Sequence, residues 1–249
     1  MAAEALVAKE PSKAAIPRIV PALLSFAAGY VDACTFLVLF GLYVAQVTGS
    51  FVVVGAEFAH HDDGVLIKIL AIPVFFAAGV FTTIFAEVLR RRGYAALAWM
   101  LALECGLIGA FVVLGLAAPS AHEPNAPTTL LAAMLGLSAM GVQSALVRLL
   151  MPGVASTNVM TTNTTLFAID TGELLLGWHG KKSGDPVAAT QFLAARERLA
   201  SLVPIGLGFL FGTASGALAT VWFGLRGLLA VVALLIGLIV WAARRDRPN

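Results

Sequence analysis

Two carboxylates and a run of hydroxyl and amide side chains are the groups in this sequence that could do chemistry, because their surroundings are almost all hydrocarbon. Asp32 sits near the middle of the apolar stretch 19–40, and Glu104 sits inside "LALECGL". A carboxylate at bilayer depth costs about 3 kcal/mol on insertion scales, so it faces a partner or a wet cavity. Asp32 therefore reads as a proton or cation site, or as a structural hydrogen bond to a helix neighbour. Glu104 carries the same cost and is a second candidate for proton coupling. The densest polar run is "STNVMTTNTT", residues 156–165, with a smaller counterpart in "QVTGS", residues 46–50. Ser, Thr and Asn at membrane depth can bridge helices, but so many together around a helix break suggest the lining of a solute pathway. The residues proposed to line it are Asp32, Gln46, Thr48, Gly49, Ser50, Gln143, Asn158, Thr161, Thr162 and Asn163. A broken helix exposes terminal amides to an anion or polar solute, and carbonyls to a cation.

Other groups carry less. Asp170 and Glu173 are three residues apart on one helix face, and read as the polar end of their segment. Arg148 reads as a snorkelling side chain. His60 to Asp63 are adjacent residues of a short loop and read as solvated, so no metal site is expected; nor is any cofactor. Cys34 and Cys105 both fall in apolar spans and read as buried apolar residues. No HExxH, no GxSxG elbow and no His paired with a nucleophile occurs, so an enzyme is not expected.

The elements that must position these groups are membrane helices. Of 249 residues, 59% are hydrophobic and 12% charged, half the charge of an ordinary soluble chain. With a mean hydropathy of +0.92, this is the composition of a polytopic membrane protein. The net charge of +2 gives no reason to expect nucleic acid, since the few Lys and Arg flank apolar runs. Six spans are expected at 19–40, 65–89, 94–117, 128–150, 199–222 and 225–243. Segments 41–59 and 153–178 are long enough to cross but broken by Gly, Thr, Asn, Gln or Ser, and read as discontinuous or re-entrant. Residues 180–198 read as the longest polar loop.

Lys and Arg clusters at 9–18, 90–92, 181–182 and 244–245 suit the cytoplasm. All agree only if neither broken segment crosses fully, so both termini are expected inside, with 60–63 and 119–125 outside. Residues 1–15 and 244–249 then form cytoplasmic tails on a single membrane domain, 16–243, and the N-terminus is not read as a cleaved signal peptide. "AGYVDA" at 28–33 is echoed by "MGVQSA" at 140–145, "VTGS" at 47–50 by "MTTN" at 160–163, and "IPVFFAAG" at 72–79 by "VPIGLGFLFG" at 203–212. The expected fold is all-α, with repeat one at 16–117 and repeat two at 127–243 in inverted orientation, a plan common in secondary transporters.

The blocks "FAAGYVDACTFL", "YVAQVTGSFVVVG" and "GLSAMGVQSALVRLLMPGVASTNVMTTNTTLFAID" resemble the signature blocks of the YoaK-like bacterial membrane proteins, the domain of unknown function 1275. The resemblance covers roughly 16–243 and implies a multi-pass protein of the bacterial inner membrane, but no substrate. On the residues, the expected function is transport of a small polar or anionic solute or ion, with or without proton coupling, or passive conduction by the same design. The partners are that solute and the bilayer. Gly206, Gly208, Gly212 and Gly216 put small residues on one span, suited to a homodimer contact or equally to an internal one.

Overall fold

The computed structural model describes residues 16–60, 65–117, 125–182 and 185–245. Eight α-helices occur among them: α1 Ile19–Val38, α2 Gly49–His60, α3 Val65–Arg91, α4 Ala96–Ala117, α5 Pro127–Leu150, α6 Met160–Lys182, α7 Pro186–Phe223 and α8 Leu229–Arg245. No strand occurs among the described residues. Without water in the hydrocarbon, only structures that satisfy their own backbone bonds are tolerated, and apolar helices do this within each segment.

Five helical runs are long and apolar enough to cross a membrane: Ile19–Val38, Leu66–Arg91, Ala96–Ala117, Pro127–Leu150 and Pro186–Arg245. The last holds both α7 and α8. Gly224, at φ 58°, ends α7, and a 3-10 turn, Gly224–Leu228, leads into α8. The left-handed φ is one that glycine adopts without cost. α2, with 12 residues, is about 18 Å long at 1.5 Å per residue, well short of a hydrocarbon core of about 30 Å.

α1 lies at the centre, packed on α7, α5 and α8; α4 fills the space between α5 and α8, and α3 lies on α5. Among the helices, α2 touches α3 alone and α6 touches α7 alone. The tightest contact is glycine-made. A Cβ added at Gly208, Gly212 or Gly216 of α7 would collide with the carbonyls of Ala22, Phe26 or Tyr30 on α1, and one at Gly29 with the Phe209 carbonyl. Small residues thus let two backbones meet, the main device for helix association in lipid. Three of the four α7 glycines that suited a homodimer therefore serve this internal contact, and they give no support to a dimer. Gly141 of α5 makes the matching approach to α3, where a Cβ would lie 2.8 Å from Ala78 Cβ and 3.0 Å from the Phe75 carbonyl.

One expectation is corrected. Residues 180–198 are not a loop: α6 continues to Lys182 and α7 begins at Pro186. Asp185 is the N-cap, accepting a hydrogen bond from Val187 N at 2.8 Å, with Pro186 at the first helical position. Polarity suggested a loop, but "DP" is a helix-start signal, and the charged residues that follow are good helix formers.

Candidate functional site at two helix breaks

α1 and α5 end in similar ways, and each ending positions a buried polar side chain. After Val38, Phe40 and Gly41 take left-handed φ values of 53° and 74°, and Gly41 N donates to the Phe36 carbonyl at 3.0 Å. The chain then runs non-helically until α2 starts at Gly49. After Leu150, Pro152 cannot continue α5, Gly153 takes φ 81°, and the chain is non-helical until Met160.

Asp32 closes the first break. Its Oδ1 accepts from Val44 N and from Ala45 N, each at 2.8 Å, and Gln46 reaches the carboxylate with both its backbone N–H and its side chain. The residue is 4% exposed. Buried backbone amides need acceptors as much as a buried carboxylate needs donors, so each solves the other's problem. The α2 amides are also occupied: Gly49 N, Ser50 N and Phe51 N donate to the carbonyls of Gln46, Val47 and Thr48. The donors that a broken helix would offer to an anion are thus taken by the chain itself at this break.

Gln143 closes the second. Its Nε2 donates to the Leu24 carbonyl of α1 at 2.9 Å, and lies 3.0 Å from Thr157 Oγ1 and 3.2 Å from Asn158 Oδ1. The amide must be oriented this way, because a carbonyl can only accept. Thr157 Oγ1 donates to Asn158 Oδ1 at 2.6 Å, and Ser25 Oγ of α1 donates to the Thr157 carbonyl at 3.1 Å. Asn163 joins from the first turn of α6, donating from Nδ2 to the Ser156 carbonyl at 2.6 Å. Ser25, Gln143, Thr157, Asn158 and Asn163 are all buried. Both breaks lie against α1, the first at Asp32 and the second at Leu24, which along a helix is about 12 Å apart.

A family model described as "Protein of unknown function (DUF1275)" matches residues 20–241. The chain belongs to this family. No curated protein and no solved structure matches it. The matched range takes in the ends of α1 and α5 and the breaks that follow them.

The other expected site residues are distributed unevenly around this member's breaks. Ser50 is buried at the start of α2, its Oγ 3.5 Å from the Tyr43 carbonyl. Gly49 packs on the Tyr43 ring. Thr48, Thr161 and Thr162 are exposed, and Thr164 and Thr165 bond back to their own helix at the carbonyls of Met160 and Thr161. Thr161, Thr162 and Asn163 belong to the first turn of α6 and not to the break, which occupies 151–159.

Glu104 is fully buried on α4, and neither carboxyl oxygen has a hydrogen-bond partner. An ionised carboxylate in that setting would cost several kcal/mol. Asp170 and Glu173 both pair with Arg198 of α7, Asp170 at 2.7 Å, and tie α6 to α7. Cys34 and Cys105 are free. His60 has no described side chain, and 61–63 lie outside the described residues. Three positions were not singled out from sequence: Ser25, Thr157 and Lys68, the last in the first turn of α3 and 1% exposed. A Lys that interrupts the apolar run "GVLIKILAIP" is a readable signal for burial in a membrane chain.

Proposed function

We propose that this DUF1275 member is a secondary transporter of a small polar solute, built from inverted repeats at 16–117 and 127–243, with its site beside the two capped breaks. One observation carries the reading. In each half, a buried polar side chain within two turns of a helix's C-terminal end holds the non-helical segment that follows it, Asp32 on 44–45 and Gln143 on 157–158. The two halves also cross. The second break touches α1 at Ser25, and Val44 of the first break lies against Gly136 of α5. Ser25 and Gly136 each stand seven residues before their capping residue. As α1 rises from Leu24 to Asp32, α5 falls from Gln143 to Gly136, the antiparallel relation that inverted repeats require. Counting α7 and α8 as separate crossings gives six spans and two broken segments, a design that places solute sites at the repeat interface.

The occupied amides of the first break argue against an anion there. Coupling is assigned to Glu104 rather than Asp32, because Asp32 is held by the chain while both Glu104 oxygens lack a partner. The test uses proteoliposomes containing a trapped pH dye, challenged with a panel of amines, amino acids and polyols. Solute-dependent proton movement that is lost in Glu104→Gln supports coupled transport. Uptake insensitive to an imposed pH gradient would make the protein a passive facilitator. No movement of any panel member, in protein that binds one of them, would overturn the transporter reading.

A further inference from the structure

A cleft of about 270 Å³ opens beside the first break, lined by Asp32, Phe36, Tyr43, Gln46, Phe209 and Thr213 among others. Its composition is selective. Asp32 is its single charged lining residue, and no Lys or Arg lines it. The carboxylate accepts only dipolar donors, the amides of Val44, Ala45 and Gln46 and the Gln46 side chain. None of these donors carries a charge of its own that would pair with the carboxylate. Three aromatic rings accompany it, with Phe36 and Tyr43 packed at 4.9 Å between centroids. A buried carboxylate beside three aromatic rings matches a cation whose charge is wrapped in apolar substituents. The rings attract the cation through their quadrupole, and the substituents replace water on the apolar walls. A compact inorganic cation would gain little, because the walls offer few oxygen ligands, and an anion would be repelled.

We infer that the Asp32 cleft binds a small organic ammonium cation, of the quaternary or multiply alkylated kind. The inference deepens the transporter reading by naming a class of solute, and rests on it only for what happens after binding. A free solute and a choline lipid headgroup share this chemistry, and the experiment separates them.

The protein is purified in a glycoside detergent, and its melting temperature is followed against tetramethylammonium, choline, the uncharged carbon isostere of choline, and acetate. A short-chain phosphatidylcholine is compared with the matching phosphatidylglycerol. The expected result is a saturable rise with tetramethylammonium and choline, and none with the isostere or acetate. Phosphatidylcholine acting while free choline does not would assign the site to a lipid headgroup. Ala217 of α7 also lines the cleft and is not a donor to Asp32, so Ala217→Leu should abolish the rise while keeping the unliganded melting temperature close to that of the parent. Asp32→Asn keeps the Oδ1 acceptor and removes the charge, and should abolish it too. A rise that survives both variants, or an equal rise with the uncharged isostere, would overturn the assignment. Failure of every cation to bind, with solute-dependent uptake of another panel member intact, would refute the solute class and leave the transporter reading standing. Binding without uptake would do the reverse.

Discussion

Replacing Gln143 tests whether the second break is held by a dry polar network or lined by solvent. In Gln143→Leu the donations to Leu24, Thr157 and Asn158 disappear. The Asn158 oxygen keeps its 2.6 Å bond from Thr157, so no group there is wholly orphaned. Interhelical hydrogen bonds in membranes contribute about 0.6 kcal/mol on average and up to about 1.7, so the two that the Gln143 amide hydrogens can make amount to roughly 1–3 kcal/mol. Gln143 Oε1 is buried without a partner, and removing it returns about 1 kcal/mol or more of desolvation. The net cost of Gln143→Leu is then about 0–2 kcal/mol. Gln143→Glu is nearly isosteric but replaces the donor by an oxygen facing the Leu24 carbonyl, 2.9 Å from the present Nε2. At neutral pH a buried glutamate costs several kcal/mol if it stays ionised without a partner, and about 1.4 kcal/mol per unit of pKa if it is protonated to regain a donor, so this variant should be less stable than the leucine variant. The assay is reversible unfolding in mixed micelles at neutral pH, with detergent-solubilised yield as a second measure. The decisive outcome is the order: parent, then leucine, then glutamate. Glutamate as stable as the parent would mean that water reaches position 143, and the account of a closed network would fail.

The remaining expectations follow from other contacts. Asp32→Leu leaves the amides of Val44 and Ala45 without their acceptor at about 1–3 kcal/mol each, so it should fail to accumulate where Asp32→Asn does; equal yields would refute the capping role. Gly212→Leu drives a side chain into the Phe26 carbonyl and should cost about 1–3 kcal/mol or more, while Gly206→Leu, which meets nothing within 4 Å, should unfold at the parent's denaturant concentration. Glu104→Gln should be as stable as the parent or more so, since it removes a carboxyl group that has no partner to support its charge, and a clear loss in thermal unfolding would reveal an ionised partner. For topology, Lys182→Cys should resist an impermeant thiol reagent in intact cells while His61→Cys is labelled, and the opposite pattern would invert the membrane orientation.

Asp32, Glu104 and Gln143 were legible because each is a polar residue in an apolar helix, where any such residue needs a reason. Their partners were harder to read. Thr157 and Ser25 look like any hydroxyl in a membrane segment, and their pairing spans 132 residues. The break itself was read one turn late. Asn and Thr at 161–163 are weak helix formers, but they stand in the first turn of α6, where Asn163 donates to the Ser156 carbonyl. Propensity could not tell the break from the helix that follows it. The α7 glycines announced a close contact but not its partner, because spacing defines a face and not what lies on it. Residues 180–198 were misread because charge outweighed the capping signal at Asp185.

The separations of the bonds at the two breaks also set an order of assembly. Asp32 finds Val44 and Ala45 only 12 and 13 residues downstream, and Gln143 finds Thr157 and Asn158 only 14 and 15 downstream. Each cap can therefore close as soon as its own stretch leaves the ribosome and enters the bilayer. The bonds that join the halves, Gln143 to Leu24 and Ser25 to Thr157, span 119 and 132 residues and must wait for the second half to arrive. Short-range contacts form early because little chain entropy opposes them. Two fragments divided between Ala117 and Pro127 and synthesised from separate messages should each insert with its break already set, then find each other along the α1–α7 and α3–α5 seams.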